Sequence, residues 1–133
     1  MKNTQKELEQ FQLRKNWEIS QESPDKSTES LLLNHMLLTT EIAEIAEELR
    51  KMLNRAYSLN KDGVGQEDAF IMAKHEVAED IGKEIADSIA YLSKFATFFE
   101  RDMEEDIRNK LDEIDKRDKP NLQRRMKGGK VNV

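Results

Sequence analysis

The fold is decided by the stretch Glu41-Ile42-Ala43-Glu44-Ile45-Ala46-Glu47-Glu48. Each residue of an α-helix advances about 100° around the axis, so the four glutamates of this stretch fall within one arc of roughly 120°. They therefore share one helix face. Apolar residues dominate the chain on both sides of it, from Leu31 to Leu53. The pattern predicts a central helix that presents a row of carboxylates from largely apolar surroundings.

A second acidic pair lies further along the chain, in Glu84-Ile85-Ala86-Asp87. Glu84 and Asp87 are three residues apart, and Tyr91 follows on the same side of the helix one turn later. Ile81, Ile85, Ile89 and Leu92 mark another side. Two helices can therefore bring four carboxylates together.

Such a cluster repels itself unless a cation neutralises it, because facing carboxylates in a partly dry interior cost several kcal/mol. Oxygen ligands without thiols favour Mg²⁺, with Mn²⁺ as a substitute. Magnesium in proteins commonly shares its coordination sphere with water and substrate phosphates. The sequence thus points to the chemistry of nucleotide phosphates.

These motifs resemble the metal-binding signature of the MazG-like all-α nucleoside triphosphate pyrophosphohydrolases, the group that includes dimeric dUTPases and dCTPases. The resemblance covers about residues 11 to 120. It consists of Glu41-x-x-Glu44, the segment from Glu84 to Leu92, and Asp102-Met103-Glu104-Glu105 with Lys110. The connection between Glu44 and Glu84 is longer than is usual in the family.

The resemblance implies a four-helix bundle-type fold with long second and third helices, assembled as a homodimer or homotetramer. It implies Mg²⁺-dependent hydrolysis of a nucleoside triphosphate to the monophosphate and pyrophosphate, as in nucleotide-pool cleaning. The expected metal ligands are Glu41, Glu44, Glu84 and Asp87. Glu47 is expected to be a further ligand or the residue that activates water.

The expected substrate contacts come from three parts of the chain. Trp17 is the expected wall of the nucleobase pocket, with Tyr91 beside it, since aromatic rings stack on bases. Lys110 is expected to stabilise phosphate oxygens. The family often has Asn four residues later; this chain has Ile114 there, and Arg117 is the expected substitute. Structural roles remain open: Trp17 as a core or interface anchor, and the two basic residues as surface ion-pair partners.

Composition favours one all-α domain over residues 1–120, followed by a basic, flexible tail over residues 121–133. The net charge of −5 argues against a general nucleic-acid surface. No apolar run reaches the length of a membrane span, the N-terminus has no apolar signal region, and there is no cysteine. We therefore expect a cytoplasmic protein.

Helical periodicity and turn residues predict the elements. The first helix is expected over residues 4–20, and the segment 21–26, with Pro24, is expected to end it. The second helix is expected from residue 27 or 28 to 59, a turn over 60–65, and the third helix from 66 or 67 to 99. Asp102 and Glu105 have capping-box spacing and are expected to begin a fourth helix that ends at Pro120.

Two other functions remain open. One is a non-catalytic helical oligomer that binds a nucleotide or a protein and carries its glutamates on a solvated face. The other is a phosphoribosyl-ATP type pyrophosphohydrolase from the same superfamily.

Overall fold

The computed structural model describes residues 1–117, which form four α-helices and no strand. They are α1 (Lys2–Lys15), α2 (Pro24–Lys61), α3 (Gln66–Phe98) and α4 (Met103–Arg117). The prediction of an all-α fold with long second and third helices is confirmed over these residues. The predicted helix stop at Pro120 and the predicted tail over residues 121–133 lie outside the described residues. Within the described range, no helix combines the length and the apolar character needed to cross a bilayer.

α2 and α3 pack side by side in opposite directions, and their side-chain contacts give the register. Arg55 Nε donates to Glu76 Oε1 at 2.9 Å near the turn that joins the two helices. Far from that turn, Lys94 Nζ donates to Asn34 Oδ1 at 3.0 Å. Residue numbers therefore rise along α2 as they fall along the facing side of α3. This register brings the two acidic motifs to the same level.

The turn between these helices lies where Gly63 and Gly65 predicted it. Gly63 adopts a φ of 109°, a backbone conformation that residues with a Cβ rarely adopt. Asn60 Nδ2 donates to Val64 O at 2.9 Å and closes the turn. The short connection fixes α2 and α3 as antiparallel neighbours.

The first helix ends earlier than predicted, at Lys15 instead of residue 20. Asn16 adopts the left-handed conformation with a φ of 58°, which Asn tolerates better than most residues. The Trp17 amide then donates to Gln12 O at 2.8 Å. The reversal places Trp17 directly after the helix, with its ring 5.6 Å from that of Phe11 in an edge-to-face contact.

The second helix begins earlier than predicted, at Pro24 instead of residue 27 or 28. Pro24 was expected to act only as a breaker, but a proline at the first helical position loses no hydrogen bond. Ser23 is the N-cap, and its Oγ accepts from the Lys26 amide at 3.1 Å. At α4 the predicted cap is present, since Asp102 Oδ1 accepts from the Glu105 amide at 3.1 Å.

Two glutamines attach α1 to the rest of the chain. Gln12 is 3% exposed, and its Nε2 donates to Ala90 O at 3.0 Å and to Ser93 Oγ at 3.2 Å. Gln5 Nε2 donates to Arg101 O at 2.8 Å, and its Oε1 accepts from the Met103 amide at 2.8 Å. α1 is therefore held to the end of α3 and to the start of α4 by directional polar contacts.

The single chain buries little apolar surface. Among residues 1–117 the buried hydrophobic residues are Ile19, Leu59, Ala69, Ala73 and Val77. Large apolar side chains stay exposed along α2 and α4, including Leu32, Leu33, Met36, Leu53, Ile107, Leu111 and Ile114. Exposed apolar surface on this scale is typical of chains that associate.

Gln12→Leu tests the polar attachment of α1. The substitution keeps the side-chain volume similar but removes both donated hydrogen bonds, each of which contributes about 1 kcal/mol. We expect the free energy of unfolding in denaturant to fall by about 1–3 kcal/mol. The matched control is Gln10→Leu, at an exposed position of the same helix. An unchanged unfolding midpoint for Gln12→Leu would contradict this role.

Candidate metal centre

Three of the four predicted metal ligands meet between α2 and α3. Glu41 from α2 and Glu84 and Asp87 from α3 each offer a carboxylate oxygen, and these oxygens lie within 4.8 Å of one another. Glu41 and Glu84 are half-buried, and Asp87 is exposed. We call these three residues the carboxylate cluster. The antiparallel register creates it, because Glu41 lies opposite the turn of α3 that carries the other two.

The fourth predicted ligand, Glu44, lies beside the cluster. It is exposed on α2, and a hydrogen bond between its side chain and that of Glu84 raises the pKa of Glu84. Such a bond requires a shared proton, because two ionised carboxylates repel each other. Glu44 is therefore close enough to join Glu84 in holding a cation.

Burial and mutual repulsion disfavour the charged forms of the cluster. Burial, followed by the hydrogen bond between protonated Glu84 and Glu44 and by the charges of the nearby carboxylates, raises the pKa of Glu84 to about 7. Burial, followed by repulsion from Glu44 and Asp87, also raises the pKa of Glu41. The Oε1 atoms of Glu41 and Glu84 are shielded from solvent and have no hydrogen-bond partner. Unpartnered buried carboxylate oxygens are costly unless a proton or a cation compensates them.

The donor set fits a hard divalent cation. All the available ligand atoms are carboxylate oxygens, the donors that Mg²⁺, Mn²⁺ and Ca²⁺ prefer. The two shielded Oε1 atoms are the groups that a bound cation would compensate. The carboxylate cluster thus qualifies as a candidate cation site, and its donor atoms do not by themselves select one of these ions.

Glu41 and Asp87 also line a cavity of about 530 Å³ between α1, α2 and α3. Its walls are mainly apolar and aromatic: Leu8, Phe11, Trp17, Leu37, Ala90 and Tyr91, with Gln12 and Lys94 as further polar groups. Trp17 and Tyr91, the two residues predicted to contact a base, therefore share this cavity with two members of the carboxylate cluster. We call it the aromatic cavity. Its volume lies within the range of small-molecule sites.

The neighbouring carboxylates affect the pKa of Tyr91. Burial, and then the charges of Glu41 and Asp87, raise the pKa of its phenol. The hydroxyl therefore stays protonated at neutral pH and remains able to donate a hydrogen bond. Because Tyr91 lines the same cavity as Glu41 and Asp87, its hydroxyl could donate to a ligand bound there.

Glu47 lies on the exposed side of α2, where it pairs with Arg50. It is not one of the three clustered carboxylates. Its neighbour Glu48 is buried at 9% exposure, with Oε2 3.0 Å from Lys51 Nζ and with Oε1 lacking a partner. The row of four glutamates therefore divides: Glu41 and Glu44 lie at the cluster, and Glu47 pairs locally.

Lys110 and Arg117 on α4 do not line the aromatic cavity. Lys110 Nζ lies 3.0 Å from Glu113 Oε1, and it borders a separate open groove with Phe95 and Ile107. The hydrogen bond from Lys110, with a smaller contribution from the charge of Arg117, lowers the pKa of Glu113. Within one chain, both basic residues therefore interact with Glu113 on α4.

Sequence reasoning missed two polar residues of the cavity, Gln12 and Lys94. A signal for Lys94 was present, since residues 84, 87, 91 and 94 follow one face of a helix at spacings of three and four. Gln12 carried no such signal, because its role depends on how α1 packs against α3.

The pKa of Glu84 makes the stability of the metal-free protein depend on pH. Its pKa rises from the ordinary value of 4.5 to about 7 on folding, so the folded state binds more protons between these values. We expect the melting temperature in chelator to fall as the pH rises through this window, and a divalent cation to restore it at the upper end.

Glu84→Gln should flatten this profile, because the amide does not titrate. The matched control is Glu79→Gln, at an exposed glutamate of the same helix that pairs with Lys83. An equal pH slope in Glu84→Gln and in the unaltered protein would show that Glu84 is not the titrating group.

No protein-family model, curated protein or solved structure matches this chain. The assignment of a function therefore depends on the chemistry of the site.

Proposed function

We propose that this protein is a divalent-cation-dependent nucleoside triphosphate pyrophosphohydrolase of the MazG-like all-α superfamily. The observation that carries the proposal is the carboxylate cluster, two members of which line a cavity walled by Phe11, Trp17 and Tyr91. A site for a cation beside a site for a planar ring matches the two ends of a nucleotide.

In this proposal Glu41, Glu84 and Asp87 hold Mg²⁺, with Mn²⁺ as a substitute, and Glu44 completes the set. When bound, the cation neutralises phosphate charge and lowers the pKa of a water in its coordination sphere. Through the cation they would hold, the carboxylates would position the triphosphate at the mouth of the cavity, and the aromatic walls would receive the base. Placing the reacting groups in this way is a large part of catalysis.

A carboxylate accepts the proton of the attacking water. Glu47 is the residue proposed from the sequence, and the hydrogen bond between Glu44 and Glu84 makes Glu44 a second candidate nearer the cluster. Attack at the α-phosphorus breaks its bond to the bridging oxygen, and pyrophosphate leaves with that oxygen. The products are the nucleoside monophosphate and pyrophosphate.

The protein is proposed to work as a homodimer or homotetramer. Ile107, Leu111 and Ile114 form an exposed apolar stripe on α4, and α4 contributes no buried residue to the single chain. Packing this stripe against a second copy would remove it from water. It would also offer Lys110 and Arg117 to the phosphates at a neighbouring site, which accounts for their position outside the aromatic cavity of their own chain.

The reaction is tested with a panel of canonical, deoxy and modified nucleoside triphosphates, measured with Mg²⁺, with Mn²⁺ and with chelator. We expect metal-dependent release of pyrophosphate and the monophosphate. Asp87→Asn should lower the rate at least about 100-fold, because it removes a ligand charge. Its helical content should persist, since the substitution relieves repulsion in the cluster.

The matched control is Asp68→Asn, at an exposed aspartate of the same helix. Release of inorganic phosphate instead of pyrophosphate would move the attack to the γ-phosphorus and contradict the family assignment. Cation binding without turnover on any substrate would favour the non-catalytic nucleotide-binding or protein-binding oligomer.

The oligomer is tested by light scattering after gel filtration. We expect a mass of two or four times the 15.5 kDa chain. Leu111→Lys, in the middle of the α4 stripe, should reduce the mass because it places a charge in the proposed interface. Asn109→Lys, on the opposite face of α4, is the control. A monomeric mass for the unaltered protein at micromolar concentration would contradict the proposed assembly.

A further inference from the structure

Lys94 is the one lysine among the residues lining the aromatic cavity, and the proposed reaction gives it no role. It is half-buried on α3, with Nζ 4.7 Å from the centre of the Tyr91 ring. This is the distance of a cation–π contact, which fixes the ammonium above one face of the ring. Lys94 therefore has a defined position in the cavity.

Asn34 on α2 also holds this ammonium. Its Oδ1 accepts from Lys94 Nζ at 3.0 Å, and its Nδ2 donates to Ser30 O at 2.8 Å. Asn34 is 6% exposed, and the bond to the Ser30 carbonyl sets the orientation of its amide. The asparagine thus positions Lys94 and is itself fixed by the backbone of α2.

The Lys94 ammonium retains donor capacity for a ligand. It carries three N–H groups, and Asn34 accepts from one of them. Burial lowers the pKa of Lys94, and the carboxylate of Glu18 partly offsets this effect. A partly desolvated ammonium makes stronger hydrogen bonds than one in bulk water. A ligand group that reaches Lys94 must therefore be a hydrogen-bond acceptor.

The position of Lys94 separates it from the carboxylate cluster. It lies seven residues beyond Asp87 on α3, so the two backbone positions are about 10 Å apart along the helix axis. In the proposed function the phosphates lie at the carboxylate cluster, and the base of the same nucleotide extends along the cavity towards Lys94. The rings of Phe11 and Trp17 line the cavity as well, and Trp17 is 53% exposed, so its ring is accessible to a base.

We propose that Lys94, positioned by Asn34, recognises a carbonyl oxygen at the edge of the base farthest from the sugar, which is position 4 of a pyrimidine or position 6 of a purine. The inference rests on the proposed nucleotide ligand. It makes the preferred substrate a nucleotide of a keto base, because an ammonium donates to a carbonyl and not to an exocyclic amino group.

Binding of nucleosides tests this recognition apart from any phosphate chemistry. Trp17 is the single tryptophan of the chain and lines the cavity, so its fluorescence reports a ligand there. Uridine is compared with cytidine, and inosine with adenosine, in the presence of chelator. Each pair differs between a keto and an amino group at the proposed contact. We expect the keto member to bind about ten-fold more tightly, the effect of one hydrogen bond to a charged group.

Lys94→Met keeps the apolar part of the side chain and removes the charge. We expect it to weaken binding of the keto member about ten-fold and to leave the amino member unchanged, so that the preference disappears. The matched control is Lys74→Met, at an exposed lysine of α3 outside the cavity lining. A purely structural role of Lys94 would lower the melting temperature and weaken both members equally, which would overturn the proposal.

The comparison in the unaltered protein needs no variant, so the proposal stays testable if Lys94→Met does not fold. Equal binding of both members, tighter binding of the amino member, or no quenching of Trp17 by any nucleoside would overturn it. Keto preference without pyrophosphate release from any triphosphate would support the base recognition and contradict the proposed hydrolysis.

Discussion

The antiparallel register of α2 and α3 is the constraint on which the rest of the structure depends. Contacts at three levels share it: Arg55 with Glu76 near the turn, the carboxylate cluster in the middle, and Asn34 with Lys94 beyond it. The middle level is unfavourable by itself, because it brings like charges together in a partly shielded place. The flanking contacts and the helix packing must hold the register against this repulsion. A bound cation would make the same level favourable, because it would compensate the like charges.

The single chain has only a small hydrophobic core with which to hold the repelling carboxylates together. The hydrophobic residues buried within residues 1–117 are few and mostly small, whereas large apolar side chains remain on the surfaces of α2 and α4. Burial of those surfaces by a second copy would supply stability that one chain does not have. Cation binding and association would then both favour the folded state, and each would support the register that the carboxylate cluster requires.

Much of this organisation could be predicted from the sequence, because helices are local. The 3.6-residue period gave four helices, the two glycines gave the turn, and Asp102 gave a cap. The period also placed Glu41, Glu84 and Asp87 on faces that meet once two long helices are antiparallel. Helix ends were less predictable, since Asn16 stops α1 by its backbone conformation and Pro24 begins α2 where a breaker was expected.

Contacts between distant elements could not be predicted. Nothing near Glu47 in the sequence distinguishes it from Glu44, yet Glu47 lies about 60° further around α2 and nearly one turn along it, where it pairs with Arg50. Asn34 is an ordinary mid-helix asparagine until α3 places Lys94 against it. Gln12 likewise depends on α1 packing across Ala90 and Ser93. The carboxylate cluster and the polar lining of the aromatic cavity thus differ in predictability, because the former follows from short motifs and the latter from tertiary packing.

The spacing between Glu41 and Asn34 on α2 equals that between Asp87 and Lys94 on α3, two helical turns in each case. The helices α2 and α3 therefore set the length of the aromatic cavity, and this length does not depend on a loop. Substitutions of single side chains at the Lys94 level would change the polarity of that end of the cavity and leave its distance from the carboxylate cluster constant. Insertions in the turn at Gly63 would leave that distance unaltered as long as α2 and α3 keep the same register. The two antiparallel helices thus fix the distance between the carboxylate cluster and the Lys94 level of the cavity.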